Sequence, residues 1–122
     1  MDIRTTESLG QIIAVIDSPD KLIVDAQSAL DLMATVRYEN DCNRVAINKA
    51  AIAEDFFVLS SGLAGEILQK FVNYRMKLAI IGDFGGYTSK PLKDFIYESN
   101  KGCHIFFVPS EEDAVKILSA AQ

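Results

Sequence analysis

Residues 44–84, RVAINKAAIAEDFFVLSSGLAGEILQKFVNYRMKLAIIGDF, decide the fold. Val45-Ala46-Ile47 is a short apolar run of buried-strand type, and the polar-broken stretch that follows reaches Ser60-Ser61. From Gly62 the apolar residues Leu63, Ile67, Leu68, Phe71 and Val72 recur at intervals of three and four, which predicts a helix to about Tyr74. Glu66 and Lys70 on that helix are spaced for an i,i+4 ion pair of the favoured order. Leu78 to Ile81 is a second apolar run, closed by Gly82. Strand, loop, helix and strand in succession predict a parallel crossover.

Upstream, Ile12 to Ile16 reads IIAVI between Leu9-Gly10 and Asp17-Ser18-Pro19-Asp20, a buried strand bounded by turns, with Ile3 to Thr6 pairing to it as a hairpin. Leu22-Ile23-Val24 reads as a further short strand. A helix follows with Ala26, Leu30, Met33 and the stem of Arg37 on one stripe, ending near Glu39 before the turn-like residues Asn40 to Asn43. Downstream, residues 85–89 (GGYTS) lead into a helix with Pro91 in its first turn and Leu92, Phe95 and Ile96 inward. Lys101-Gly102 stops it, and His104 to Val108 is a fourth main strand. Ser110 with Asp113 resembles a capping box before a last helix that buries Ala114, Val115, Ile117 and Leu118. The expectation is one α/β domain over residues 1–122. It is a layered fold with four to five strands in a mostly parallel sheet, an N-terminal hairpin and about four helices.

Composition narrows the function. At 122 residues, 49% hydrophobic and 24% charged, the chain fits a single globular core. No apolar run approaches the roughly eighteen residues of a membrane span, so no membrane role is expected. MDIRTTESLG lacks the basic-then-apolar form of a secretory signal, which predicts a cytoplasmic protein. The net charge of −5, with Lys and Arg scattered, argues against nucleic acid as a partner. One histidine and two cysteines, without a CxxC, predict no metal site, and no cofactor is expected. Cys103 and His104 adjoin, but neighbours in a strand face opposite ways, which disfavours a nucleophile and base pair.

In an α/β sheet, function gathers on the loops after the strands. Three loops qualify: Ser60-Ser61-Gly62, Asp83 to Ser89, and Pro109-Ser110. The binding residues expected from them are Ser60, Ser61, Gly62, Asp83, Gly85, Gly86, Tyr87 and Ser89. Ser61 reads in two ways, as a helix cap and as a hydroxyl that accepts a phosphoryl group or contacts an anion beside free helix N–H groups. Gly85-Gly86-Tyr87 reads either as a binding loop with a covering tyrosine or as an ordinary connection. There is no GxGxxG, and GDFGGY lacks the lysine and hydroxyl of a P-loop. The DFG letters stand without the other signatures of a kinase. Glu54-Asp55 reads as a solvated acidic pair rather than a catalytic one, Phe56-Phe57 as core anchors, and Arg75 at a helix end as dipole compensation. No catalytic residues are assigned.

With the strands placed, the whole chain resembles the STAS family, the sulfate-transporter and anti-sigma-factor-antagonist domain, in its small stand-alone bacterial form. Leu59-Ser60-Ser61-Gly62-Leu63 occupies the loop that carries Asp-Ser-Ser-Gly-Leu in that family, with Leu59 at the aspartate position. Residues 109–115 (PSEEDAV) resemble the start of its last helix. The resemblance implies a non-enzymatic regulatory or interaction domain with a protein partner. It also implies that one serine of the pair matched by Ser60 and Ser61 is presented to a kinase, and phosphorylation at Ser61 is the expected switch. The segments DFFVLSSGLAGEILQKFVNY and KLAIIGDF are also similar to a family of short bacterial proteins of unknown function. The alternative is a small-molecule or anion-binding protein using the same edge, and a weaker third reading is an enzyme with Ser61 as nucleophile.

Overall fold

In the computed structural model, which describes residues 2–122, the run at Val45-Ala46-Ile47 is the central strand of a five-stranded sheet. The strands, in spatial as in chain order, are β1 (Ile3–Ser8), β2 (Gln11–Ile16), β3 (Arg44–Asn48), β4 (Lys77–Ile81) and β5 (Ile105–Val108). β1 and β2 are antiparallel, and the other pairings are parallel. The helices are α1 (Ala26–Asn40), α2 (Leu63–Asn73), α3 (Lys90–Lys101) and α4 (Glu111–Ala120). The fold is α/β, as the sequence predicts.

Strand alternation sorts the core into two layers. Val45 and Ile47 of β3, Leu78 and Ile80 of β4, and Ile105 and Phe107 of β5 meet α1, α2 and α3 on one face. Ala46, Ala79, Phe106 and Val108 point to the other face and meet Ala114 and Leu118 of α4. Small Ala46 and Ala79 let α4 lie close to the sheet. On α2 the buried residues are Ala64, Ile67 and Phe71. Truncating a buried phenylalanine such as Phe71 to alanine costs about 3–5 kcal/mol by cavity formation.

Several local expectations are corrected. Leu22-Ile23-Val24 forms no strand; only Ile23 pairs, in an isolated bridge to Ile52. The inner stripe of α1 is Ala29, Leu32, Met33 and Val36: Met33 is as predicted and Leu30 packs half-buried beside it, while Ala29, Leu32 and Val36 take the places expected of Ala26 and Arg37. Glu66 and Lys70 do not pair: the ion pairs among the described residues are Arg4–Glu111 and Lys90–Asp94. The polar loop after β3 contains three short 3-10 turns, Lys49–Ala51, Glu54–Phe57 and Leu59–Ser61. Phe56 and Phe57 on the middle turn are buried, as predicted.

Two side chains close the ends of the sheet. Arg44 is buried, and its guanidinium donates to Gln11 Oε1 at 3.1 Å, Leu118 O at 2.7 Å and Ala121 O at 3.0 Å. The charge therefore sits on the negative end of the α4 dipole, anchoring that helix to β3. On the outer edge of β5, Asn100 Oδ1 accepts from Phe107 N at 2.7 Å while Asn100 Nδ2 donates to Phe107 O at 3.2 Å. The asparagine amide thus imitates one residue of a neighbouring strand.

No helix among the described residues is long and apolar enough to cross a membrane.

Candidate functional site

Because β2 to β5 run parallel, their C-terminal ends emerge at one edge. Asn48, the last residue of β3, stitches two of the loops there. Its Oδ1 accepts from Ser18 N at 2.8 Å, and its Nδ2 donates to Ser18 O at 2.7 Å. The next residue, Lys49, is therefore held over the sheet end. Its ammonium lies 4.6 Å from the centre of the Tyr87 ring and 5.5 Å from that of Phe57. Gly82 makes this fit possible: a Cβ there would stand 2.8 Å from Lys49 Cβ.

Tyr87 is docked rather than free. Its ring stacks on Phe57 with centroids 5.4 Å apart and planes 15° apart, and its hydroxyl donates to Glu54 Oε1 at 3.0 Å. Removal from water pushes the Tyr87 hydroxyl above its ordinary range, Glu54 adds to this, and Lys49 opposes it. Lys49 is in turn held above its ordinary range, first by the Tyr87 hydroxyl and more weakly by Glu54 and Asp83, against the effect of partial burial. Asp83 Oδ1 accepts from Gly85 N at 2.9 Å, which folds the glycine pair into an Asx turn. Ser89 caps α3, accepting from Leu92 N at 3.4 Å.

The serine pair sits on the same edge. Ser60, Ser61 and Gly62 are exposed. The cap residue of α2 is Gly62, with φ +81, and it offers no side chain. Ser61, one residue earlier, does part of the capping: its Oγ accepts from Leu63 N at 3.2 Å and donates to Asp55 O at 2.6 Å. Ser61 and Tyr87 thus fasten to adjacent residues, Asp55 and Glu54, of one 3-10 turn. That turn joins the two predicted loops. Pro109 joins Asp83 along a hollow of about 280 Å³ over the ends of β4 and β5, while Ser110 caps α4 by accepting from Asp113 N at 3.1 Å.

Sequence reasoning misses Lys49; Glu54 is exposed, as a solvated acid would be, but its bond from Tyr87 is not legible in the sequence. The available signal was position: Lys49 follows the last residue of β3, at the same edge as the loops that were singled out. At the end of α2, beside Arg75, Arg37 of α1 donates to Tyr74 O at 2.6 Å. Cys103 and His104 depart further. They lie in a bend before β5, so strand alternation does not apply, and Cys103 Sγ is 3.6 Å from His104 Nε2. His104 stands at the N-terminal edge of the sheet, opposite the Ser61 edge. Among the described residues no three His, Cys, Asp or Glu side chains group as metal ligands would.

Fold and edge together place the chain among small α/β domains whose polar groups ride on the loops after the parallel strands. Within that class the chain belongs to the family described as Domain of unknown function (DUF4180), which matches residues 9–118. Comparison with curated proteins gives no match, and neither does comparison with solved structures.

Proposed function

We propose that this is a non-enzymatic, STAS-like regulatory or interaction domain, whose protein partner docks over Ser60 to Gly62 and Asp83 to Ser89 and whose switch is phosphorylation of Ser61. The observation that carries the reading is the double engagement of an exposed hydroxyl, which donates to Asp55 O at 2.6 Å and accepts from Leu63 N at 3.2 Å. A phosphoryl group on Oγ replaces the donated proton, so the bond to Asp55 is lost. It also adds nearly two negative charges beside an acidic segment. Since Tyr87 holds Glu54, a loosened Glu54–Phe57 turn alters the Tyr87 loop as well, and one modification changes the whole docking face. Leu59, at the aspartate position of the STAS motif, packs against the core and serves this face as an anchor.

The test is affinity capture from a host lysate with wild-type, Ser61→Ala and Ser61→Asp baits, beside phosphopeptide mass spectrometry of the native protein. Ser61→Ala removes the donated bond to Asp55, as a phosphate does, and the accepted bond from Leu63 N as well, without adding charge. A partner kept by wild type and Ser61→Ala but lost with Ser61→Asp supports a face gated by charge. Identical partners on all three baits, with Ser61 unmodified under every growth condition, remove the switch. The anion-binding alternative is weakened by the carboxylates of Glu54 and Asp83 on this edge. Stabilisation by phosphorylated metabolites in a thermal shift would restore it.

A further inference from the structure

At the opposite end of the sheet the chain carries a second chemical group that the proposed docking face does not use. Cys103 and His104 occupy the bend between α3 and β5, and both backbones are pinned to β4: Lys77 Nζ donates to Cys103 O at 2.6 Å, and Leu78 N donates to His104 O at 2.9 Å. Pinning places the thiol sulfur 3.6 Å from His104 Nε2, within reach of an S–H···N contact in the tautomer whose Nε2 is unprotonated. Both side chains are partly exposed. They line a groove of about 300 Å³ with Leu68, Phe95 and Ile105 on its apolar wall and Glu98 and Ser99 at its rim. The charged groups around the pair are Glu98 of α3 in that groove and Lys77 of β4, which also donates to Gln122 O at 2.9 Å.

The other cysteine provides an internal contrast. Cys42 is buried, its sulfur 3.1 Å from Ile12 O and 3.0 Å from Arg44 O, so its thiol is committed to the backbone. Of the two thiols, only Cys103 has both a base beside it and open space in front of it.

We propose that Cys103 is a reactive thiol, activated by His104, which forms mixed disulfides with low-molecular-weight disulfides entering the groove. His104 Nε2 takes the thiol proton, and the thiolate attacks one sulfur of R–S–S–R. The Cys103–S bond to that sulfur forms as the R–S–S–R bond breaks. The departing RS⁻ carries away the electron pair of the broken bond and is protonated by the imidazolium, restoring neutral His104. Electrons balance within the exchange, with Cys103 oxidised and one half of the disulfide reduced.

The experiment treats the native full-length chain with oxidised glutathione and with an aromatic disulfide at pH 7, following each cysteine by peptide mapping and intact mass. A free thiol is only a few per cent ionised at that pH, so assistance by the imidazole accelerates native Cys103 on the order of tenfold over the same residue in denaturant. His104→Gln is expected to lose most of that gain, and Cys42 to stay unlabelled until the chain unfolds. Native Cys103 reacting no faster than in the denatured chain would overturn the proposal, and so would a His104→Gln protein that reacts at the wild-type rate. The native-to-denatured comparison needs no variant, so a misfolded His104→Gln protein leaves the proposal open to refutation.

Discussion

The ring of Tyr87 lies nearly parallel to that of Phe57, 5.4 Å away, although 30 residues and a whole strand–helix crossover separate them along the chain. The stack fixes the tyrosine hydroxyl on Glu54 and its face against the Lys49 ammonium. The tip of the loop after β4 is therefore clamped to the loop after β3.

The clamp carries a pH signature. Tyr87 and Lys49 are both raised above their ordinary values of 10.0 and 10.5. As pH climbs past about 10 the unfolded chain releases protons that the folded chain retains, so the stability these groups contribute is present below that pH and is lost above it. Urea midpoints measured from pH 8 to 11 are expected to fall more steeply for wild type than for Tyr87→Phe. At neutral pH that variant costs about 1 kcal/mol for the lost bond to Glu54. Equal slopes would show that the Tyr87 hydroxyl is not coupled to folding.

Gly82 and Gly86 give opposite expectations from the same substitution. Gly82→Ala drives a Cβ to 2.8 Å from Lys49 Cβ and is expected to destabilise by about 1–3 kcal/mol. Gly86→Ala meets nothing within 4 Å at an ordinary φ and is expected to be neutral, or stabilising by up to about 1 kcal/mol. Chemical denaturation of the two variants side by side decides this, and a harmless Gly82→Ala would mean that Lys49 is not confined.

Arg44 holds α4 by two of the three hydrogen bonds its buried charge makes, to Leu118 O and Ala121 O, the third going to Gln11 of β2. Arg44→Met leaves two carbonyls at the end of α4 without their donor and is expected to cost about 2–3 kcal/mol. Hydrogen exchange should rise first in Glu111–Ala120. A uniform rise over the whole chain would contradict the idea that Arg44 acts as the anchor of that helix.

The β1–β2 turn carries avoidable strain. Leu9 has φ 53 and Gly10 φ 77, a pair of left-handed residues in a two-residue hairpin, and Leu9 is 78% exposed. Asparagine is the favoured first residue of such a turn, so Leu9→Asn is expected to stabilise by about 1 kcal/mol. A lowered melting temperature would mean that Leu9 has a contact that outweighs its backbone strain.

The strands were legible because each is a short apolar run closed by turn residues: IIAVI before Asp17, VAI before Asn48, LAII before Gly82. A buried parallel sheet demands such runs, and the crossover helices announce themselves by spacing. The edge itself was half legible. Residues 85–89 could be placed by their position after a strand, but the meeting of Lys49, Glu54 and Tyr87 depends on how far two crossovers bring distant loops together, which no local pattern encodes. Ser61 was legible as a helix-start residue. Its stronger bond, to Asp55, was not, because the short 3-10 turns that set it up have no periodicity to read. His104 misled for a related reason: one residue of difference in where β5 begins decides whether it opposes or meets Cys103.

The amide of Asn100 on Phe107 has a consequence for how copies of this domain meet. A sheet grows when a foreign backbone offers its N–H and C=O groups to an open rung, and here the rung at Phe107 is already filled from within the chain. The sheet terminates at its fifth strand by chemistry rather than by bulk. Crowded copies therefore find β5 a poor template for joining into fibres, and the cost of that protection is a single side chain.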